Sequence, residues 1–527
     1  MGKFHNNYIA HFFLSDILKS AFYSCLKGNE KALLNLKAKQ ESRRKFLRDT
    51  AIIGAGMLLQ PSLLSANDFN KEKKIVIVGA GMAGLNTAYQ LQKLGLNSTV
   101  YEASNRTGGR MYTIEHIFGE NITTDIGGEF VDATHQDIID LVKEFNLELY
   151  DLRKETLTKK TFYFKGQHYN EKELADAFQP FAAQILKDIL LLPEIKNFTT
   201  ASSIEIYDHQ SVASYVAALG ISGWLYNFLC IIFTSEFGLE ANEQSALNFL
   251  TMFVAPVNSE NNYQLFGNEH EVFKIKGGSQ HLTNTIALSL KNNIFLQHKL
   301  VAIDSKNNSA ILSFINNGKK VIVPADYVVM TLPFTILRNI SFGMDLQPEK
   351  RKCIDELGYG NSSKFIMGFK DKVWRSAGKQ GYTFTDEAFG TGWDSAQMQS
   401  DNEGSFTVFG GGNYSVDIYN KKEEILAKDF LIGINKIYPG STFAYTGKNI
   451  KFCWANSLVS KAGYSCYKVG QYSTIAGWEA VPVGNIFFAG EHTSTSFQGY
   501  MNGAAETGKR VAQQIAVKLL QTKNISL

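Results

Sequence analysis

Residues 75–84 read Ile75-Val76-Ile77-Val78-Gly79-Ala80-Gly81-Met82-Ala83-Gly84, and this stretch decides the fold. Four consecutive β-branched residues are typical of a short strand buried on both faces of a parallel sheet. The three glycines lead into a helix, because residues 85–94 have helical periodicity. Gly79 allows a tight turn, Gly81 lets the backbone approach a pyrophosphate, and Gly84 permits close packing of helix and strand. The pattern predicts an α/β fold that opens with a dinucleotide-binding turn.

A second short strand, residues 98–101, ends at Glu102. A carboxylate at this spacing hydrogen-bonds ribose hydroxyls in dinucleotide-binding folds, and the helix N-terminus faces the phosphates. Further along, the chain reads Gly108-Gly109-Arg110 and Gly127-Gly128-Glu129-Phe130. An arginine suits a phosphate, and the glycine pairs suit backbone packed against a long ligand. Since a nicotinamide cofactor does not need this second cluster, FAD is the better fit; ordinary loop glycines are the plainer alternative.

A second glycine-rich stretch lies near the other end of the chain, where residues 487–508 read FFAGEHTSTSFQGYMNGAAETG. Each stretch alone is a moderate signal. Together they predict two walls of one cofactor site. Met501 is expected to begin the last helix, whose positive end can stabilise charge that develops on a bound ring system.

With these motifs the chain resembles the flavin-containing amine oxidases, the family of monoamine, polyamine and L-amino-acid oxidases. The resemblance runs from about Lys74 to Gln514 and includes residues 208–211, 235–238, 276–278 and 325–333. The opening motif also suits phytoene desaturases and protoporphyrinogen oxidases. Residues 489–493 with 499–504 are more specific to amine oxidases.

The order of elements predicts two domains, since 527 residues are too many for a single core. A discontinuous FAD-binding domain, Rossmann-like and of the two-dinucleotide-binding type, is expected from residues 74–149, 273–331 and 454–527. An interposed α+β substrate domain is expected from residues 150–272, which look mostly helical, and residues 332–453, which alternate like strands.

The resemblance implies which residues hold FAD. They are Gly79, Ala80, Gly81, Met82, Ala83, Gly84, Glu102, Gly109, Arg110, Gly127, Gly128, Glu129, Phe130, Val301, Gly490, Glu491 and Met501. Gly463 stands where monoamine oxidases of the covalent type carry a flavin-bonded cysteine, and Cys466 is out of register with it. Non-covalent FAD is therefore expected.

Three residues carry the chemistry that the resemblance implies. Lys364 aligns with a family lysine that reaches flavin N5 through a water molecule, and Tyr464 and Tyr500 align with an aromatic cage beside the flavin. Two ring faces would bring an amine to the flavin in a dry, electron-rich slot. The plain alternatives are a solvated lysine at a strand end and tyrosines that pack in the core.

The lack of an arginine just after Gly128 indicates the substrate class. L-amino-acid oxidases commonly place an arginine soon after the glycines at 127–128, where it binds the substrate carboxylate, but residues 129–135 contain none. An unpaired carboxylate in a dry pocket is heavily penalised. We therefore expect oxidation of an amine without an α-carboxylate to an imine and aldehyde, with O2 reduced to hydrogen peroxide. Glu129 or Asp132 could attract the second ammonium of a diamine, although a flavin-side or surface contact is their commoner role.

Two other functions stay open at this point. One is a different flavin oxidation on the same fold, by an amino-acid oxidase, monooxygenase or desaturase. The other is a non-catalytic flavoprotein that serves as an electron-transfer partner. The sequence has no metal-ligand spacing and no Ser–His–Asp arrangement, and His492 is expected to serve the glycine-rich turn rather than act as a base.

Composition excludes some partners, and the N-terminus indicates a location. A net charge of +3, with 44% hydrophobic and 20% charged residues, favours neither nucleic acid nor an acidic membrane surface. Residues 42–48 read SRRKFLR before a short apolar run, which resembles a twin-arginine export signal within residues 1–66; a basic helical start is the alternative. We expect recognition by an export machinery, a periplasmic or extracellular location, no membrane anchor in the mature chain, and compatibility with a homodimer.

Overall fold

A computed structural model of the protein describes residues 73–157, 159–252, 271–306, 309–399 and 402–525. The predicted export signal lies outside these residues. Within them, no helix is both long and apolar enough to cross a membrane. The four cysteines that the structure describes, Cys230, Cys353, Cys453 and Cys466, are free thiols.

The strands and helices are numbered in chain order. The strands are β1 Ile75–Val78, β2 Ser98–Tyr101, β3 Thr113–Glu115, β4 Thr123–Asp125, β5 Phe130–Val131, β6 Leu149–Asp151, β7 Thr161–Phe164, β8 Gln167–Tyr169, β9 Phe273–Ile275, β10 Ile294–Phe295, β11 Lys299–Lys306, β12 Ser309–Asn316, β13 Lys319–Ala325, β14 Tyr327–Met330, β15 Ser341–Gly343, β16 Ser362–Phe369, β17 Thr383–Thr385, β18 Thr391–Asp394, β19 Gly404–Gly411, β20 Tyr445–Cys453 and β21 Ile486–Phe488. The helices are α1 Met82–Lys93, α2 Gln136–Glu144, α3 Glu171–Leu191, α4 Ala201–Asp208, α5 Val212–Ala218, α6 Gly223–Phe237, α7 Ala246–Thr251, α8 Ser279–Ser289, α9 Phe334–Leu337, α10 Pro348–Glu356, α11 Val373–Ser376, α12 Gly412–Asn420, α13 Glu423–Ile437, α14 Ser441–Ala444, α15 Gln471–Thr474 and α16 Met501–Ile525.

A parallel five-stranded sheet in the order β10-β2-β1-β14-β21 carries the opening motif. Strand β1 lies at its centre and is buried along its whole length, as its β-branched run predicts. Helix α1 packs against the C-terminal helix α16, and the Asn86 side chain donates a hydrogen bond of 2.6 Å to the carbonyl of Ala505. The predicted Rossmann-like α/β fold is confirmed.

The turn between β1 and α1 depends on its glycines. Gly79 has a φ of +107°, and its N–H donates to the carbonyl of Tyr101 on the neighbouring strand. A Cβ on Gly84 would lie 2.0 Å from the Gly79 carbonyl oxygen, so the helix can pack this closely only because that residue has no side chain. The helix begins at Met82, three residues before the predicted start, because the turn ends at the extended Gly81.

A mixed seven-stranded sheet in the order β20-β16-β19-β18-β17-β7-β8 forms the other main layer. It combines two short strands within residues 161–169 with strands from residues 362–453, and β7 joins β17 in parallel. Helices from residues 171–251 pack into a separate apolar core. The apolar run at residues 212–233 forms two helices, since Gly220 between them has a φ of +85°. The predicted domain boundaries at residues 150, 273, 332 and 454 stay predictions.

Substitution of Gly84 tests the close packing at the opening turn. Gly84→Ala forces a methyl group against the Gly79 carbonyl, so we expect the free energy of unfolding to fall by about 1–3 kcal/mol. Gly81→Ala is the matched control, because its Cβ would find its nearest neighbour at 3.8 Å and its φ is −79°. Urea unfolding of the FAD-free proteins measures the difference, and equal midpoints for the two variants would contradict the packing argument.

Candidate functional site

A cavity of about 660 Å³ starts at the carboxyl ends of the parallel strands and reaches the seven-stranded sheet. Ligand sites of α/β proteins commonly lie beyond this edge of the sheet. Most of the predicted site residues line the cavity: Gly79, Gly81, Met82, Ala83, Glu102, Gly109, Arg110, Gly127, Gly128, Glu129, Phe130, Lys364, Tyr464, Gly490, Glu491, Tyr500 and Met501. The opening and closing motifs therefore face the same space.

Three predicted cofactor residues do not line the described cavity. Ala80 is buried behind the turn, and Gly84 packs against the Gly79 carbonyl. Val301 is not among the lining residues either, whereas its neighbours His298, Lys299 and Leu300 are. The pairing of β11 with β12 shifts register between Leu300 and Ala302, and this irregularity leaves Val301 outside the ladder.

Glu102 holds the nucleotide end of the cavity in place. One carboxylate oxygen accepts the N–H of Ala80 at 2.7 Å, and the other accepts the N–H of Ser104 at 2.8 Å. The side chain is buried yet lines the cavity. Its first structural role is therefore to tie the glycine turn to the end of β2. Binding of ribose by Glu102 stays a prediction.

The middle of the cavity joins distant parts of the chain through Arg110 and Glu491. Nη1 of Arg110 lies 2.9 Å from Oε1 of Glu491 and 2.7 Å from the carbonyl of Gly463. Glu491 also accepts the Ser465 hydroxyl at 2.6 Å and the Gly499 N–H at 2.8 Å. Burial would raise the pKa of Glu491, but Arg110 and the other donors lower it, so the carboxylate is ionised.

Glycine backbone forms part of the cavity wall where a dinucleotide would lie. A Cβ on Gly109 would come within 3.1 Å of the Cα of Gly81, because the backbone of Gly81 pairs with that of Gly108. At Gly128 a Cβ would meet the Met501 side chain at 2.9 Å, so the second glycine pair closes against the start of α16. This glycine-lined stretch connects the opening motif with the start of α16 and suits a long cofactor such as FAD.

A buried cluster of charges surrounds Glu129. Its Oε2 accepts from Nζ of Lys364 at 2.8 Å and from the Trp393 indole at 3.1 Å, and its Oε1 accepts from Nζ of Lys274 at 2.7 Å. Lys364 also donates to the carbonyls of Asp125 and Gly127. It therefore has the polar partners that a buried lysine needs.

The charge balance keeps Glu129 ionised. Burial would raise its pKa, but the charges and hydrogen bonds of Lys274 and Lys364 lower it below the usual range. Because both oxygens of the Glu129 carboxylate accept from lysine ammonium groups, Glu129 is not a candidate for binding a substrate ammonium. The sequence does not predict Lys274 and Trp393 as site residues. For Lys274, its position between two apolar residues of the short strand β9 is a signal that could have indicated a buried lysine.

Tyr464 and Tyr500 line the far end of the cavity, together with Tyr382 and Trp393. The Tyr464 hydroxyl donates to the carbonyl of Ser235 and the Tyr500 hydroxyl to Oε1 of Glu236, both at 2.9 Å. Burial raises the pKa of both phenols, and the charge of Glu236 raises both further. The two tyrosines are thus neutral and held by their hydroxyl ends.

His492 does not line the described cavity. It is buried against Phe334, and a Cβ on Gly490 would lie 2.6 Å from its ring. Burial lowers the pKa of His492 to about 3, so the imidazole is neutral and packs as part of the glycine-rich turn.

A cavity that starts at a dinucleotide-binding turn and ends among aromatic rings beside a buried lysine defines a nucleotide-cofactor-dependent oxidoreductase. The chain matches the model of the flavin containing amine oxidoreductases over residues 82–516, and it belongs to this family, which binds FAD. The predicted family resemblance is confirmed.

Relatives and solved structures cover most of the chain. Amine oxidase [flavin-containing] B of Cavia porcellus is 27% identical over 466 residues, which span 85% of this chain and 86% of that protein. A putative L-amino-acid oxidase of Bacillus subtilis (strain 168) is 24% identical, with 84% of this chain and 94% of that protein covered. The structure of cyclohexylamine oxidase from Brevibacterium oxydans superposes with a TM-score of 0.74 at 20% identity and covers 85% and 99% of the two chains.

Proposed function

We propose that this flavin-containing oxidoreductase oxidises an amine that carries no α-carboxylate. The observation that carries the proposal is the far end of the cavity, where the rings of Tyr464 and Tyr500 line the same space as Lys364. Aromatic faces attract cations and pack against apolar chains, so this end suits the carbon chain and nitrogen of an amine.

At the tyrosine end of the cavity, the described cations already have carboxylate partners, so a substrate carboxylate would compete with them. Of the cations among the described lining residues, Arg110 is engaged with Glu491 and Gly463. Lys364 is engaged with Glu129.

Lys299 follows His298, whose N–H donates to the Glu102 carbonyl, so it lies at the other end of the cavity from the tyrosines. Residues 253–270, which the structure does not describe, contain neither arginine nor lysine in the sequence. Because a carboxylate buried without a cation is strongly disfavoured, these facts support an amine over an amino acid.

The protein residues would orient the substrate and exclude water from it. The neutral amine would lie against the rings of Tyr464 and Tyr500, which are anchored through their hydroxyls. FAD, when bound, would supply an acceptor for the hydride (two electrons and one proton) that leaves the amine carbon; together with the proton lost from the amine nitrogen, these would reduce O2 to hydrogen peroxide. Water then hydrolyses the imine product to an aldehyde and ammonia.

We propose that FAD is held without a covalent bond. Gly463 offers no nucleophile, and a Cβ there would lie 2.3 Å from the Ser362 hydroxyl, so the position has no room for a cysteine. The Cys466 thiol accepts from the Asn248 amide at 3.3 Å, away from the described cavity lining.

Acid precipitation of the purified holoenzyme tests this attachment. Denaturation should release all of the flavin into the supernatant, because only folded backbone and side chains hold it. Absorbance of the supernatant and the pellet at the flavin bands measures the split. Flavin that stays with the precipitated chain would contradict non-covalent binding.

A peroxide-coupled assay of the FAD-loaded protein tests the reaction. We expect peroxide with primary alkyl or arylalkyl amines, and at least about tenfold lower kcat/KM for L-amino acids with the same side chains, since the substrate carboxylate would compete for cations that already have carboxylate partners. Turnover restricted to L-amino acids would support the alternative amino-acid oxidase. Absence of peroxide with both classes would support a non-catalytic flavoprotein.

Lys364 is expected to assist reoxidation of the flavin by O2. Lys364→Met removes the cavity-lining ammonium while Glu129 keeps Lys274 and Trp393 as partners. FAD should stay bound, and the rate of reoxidation should fall by about tenfold or more, because negative charge that develops on oxygen loses a nearby cation. Stopped-flow mixing of the reduced enzyme with O2 measures this rate.

Lys274→Met is the matched control for this substitution. It removes the same charge from Glu129, but Lys274 does not line the described cavity. We expect its reoxidation rate to stay much closer to that of the unaltered enzyme. Equal slowing in both variants would show that the charge of Glu129, and not the Lys364 ammonium, controls the step.

A further inference from the structure

Glu236 lies in the last turn of helix α6, and it lines the cavity together with Tyr464 and Tyr500. Its Oε1 accepts the hydroxyl of Tyr500, and the preceding carbonyl, that of Ser235, accepts the hydroxyl of Tyr464, each at 2.9 Å. Two consecutive residues of one helix end therefore anchor both rings of the proposed amine site. The carboxylate stands at the hydroxyl edge of Tyr500, beyond the ring face.

The charge around these rings is negative. The C-terminal end of α6 contributes a partial negative charge, and Glu236 and Glu271 both line the cavity there. After burial, the charges of these two glutamates are among the causes that raise the pKa of Tyr382 and of Tyr500. The tyrosine end of the cavity therefore favours a cation in addition to the reacting nitrogen.

The part of the cavity lining around Lys364 has a different balance of charge. There one carboxylate, that of Glu129, is shared by the two ammonium groups of Lys274 and Lys364. Positive charge thus lies on the lysine side and negative charge on the tyrosine side. A substrate with a cationic far end would be oriented by this gradient, with that end directed toward Glu236.

We propose that Glu236 is a specificity-determining residue that binds a second ammonium group of the substrate, so that α,ω-diamines are preferred over monoamines of the same length. This inference rests on the proposed amine oxidation and narrows its substrate class. Glu236 has a second role as a positioning residue, since its hydrogen bond holds the ring of Tyr500.

Matched pairs of substrates separate charge recognition from simple fit. For the unaltered holoenzyme, kcat/KM for a diamine such as 1,4-diaminobutane should exceed that for butylamine by about tenfold or more, mainly through KM, and the same comparison applies to 1,6-diaminohexane and hexylamine. Glu236→Gln keeps a hydrogen-bond acceptor for Tyr500 but removes the charge. The ratio of diamine to monoamine should then fall toward one.

Binding measured without turnover supports the kinetic test. Anaerobic titration calorimetry of the dithionite-reduced holoenzyme, which cannot oxidise the ligand, should give a Kd for the diamine about tenfold below that for the monoamine. Glu424→Gln, which removes an exposed carboxylate in the first turn of α13, is the matched control and should keep the full preference.

The outcomes separate the two proposals. Oxidation of monoamines and diamines with equal kcat/KM and equal Kd by the unaltered enzyme would overturn the role of Glu236 and leave the proposed amine oxidation in place. Failure to oxidise any amine would overturn the proposed function itself. If Glu236→Gln does not fold or load FAD, Glu271→Gln replaces it and should also reduce the diamine preference. The comparison of diamines with monoamines on the unaltered enzyme needs no variant.

Discussion

The buried carboxylate of Glu129 is the interaction on which the cavity depends. It binds Lys274 on β9, Lys364 on β16 and the indole of Trp393 on β18. It thereby connects the three-stranded sheet β5-β9-β6 with the seven-stranded sheet. Burying three charges costs several kcal/mol for each ion unless hydrogen bonds compensate, and loss of one partner from such a group costs about 3–5 kcal/mol. The cluster therefore holds the glycine-rich side of the cavity at a fixed distance from the seven-stranded sheet. The ion pair of Arg110 and Glu491 likewise holds the opening and closing glycine-rich regions together.

The sequence predicts the cofactor half of the fold well because its signals are local. A run of β-branched residues, a turn that requires positive φ and a helix that touches the strand leave few alternatives to glycine at Gly79 and Gly84. The substrate half has no such local constraint. The parallel pairing of β7 with β17 joins residues 161–163 to residues 383–385, and no pattern in either segment specifies that partner. Even the division of the apolar run at residues 212–233 into two helices coincides with two glycines, Gly220 and Gly223, whose positive φ angles are visible only in the structure.

The candidate site divides in the same way. Residues that act through backbone shape, such as Gly81, or through a motif, such as Glu491, were predicted and line the cavity. The sequence does not predict Lys274, Trp393 or Tyr382 as site residues, because a lysine or an aromatic ring in a short strand, or directly before one, is typical of ordinary packing. Contact of Val301 with the cofactor stays a prediction; the shift of register in β11 beside it is not visible in the sequence. Glu236 lies in a stretch that contributes to the family resemblance, yet its importance follows only from its contact with Tyr500.

The pairing of the two chain ends has a consequence for biosynthesis. Strand β1 and helix α1 are among the first described elements to emerge during translation, but β1 belongs to a sheet that β21 completes, and α1 packs against α16. Because domains fold as units as the chain is made, the nucleotide-binding half must wait for its last residues. A ribosome-bound intermediate would therefore expose the apolar face of α1 for nearly the whole time of synthesis. The cavity lining is therefore complete only once residues 490–504 have been made and have packed against the opening turn.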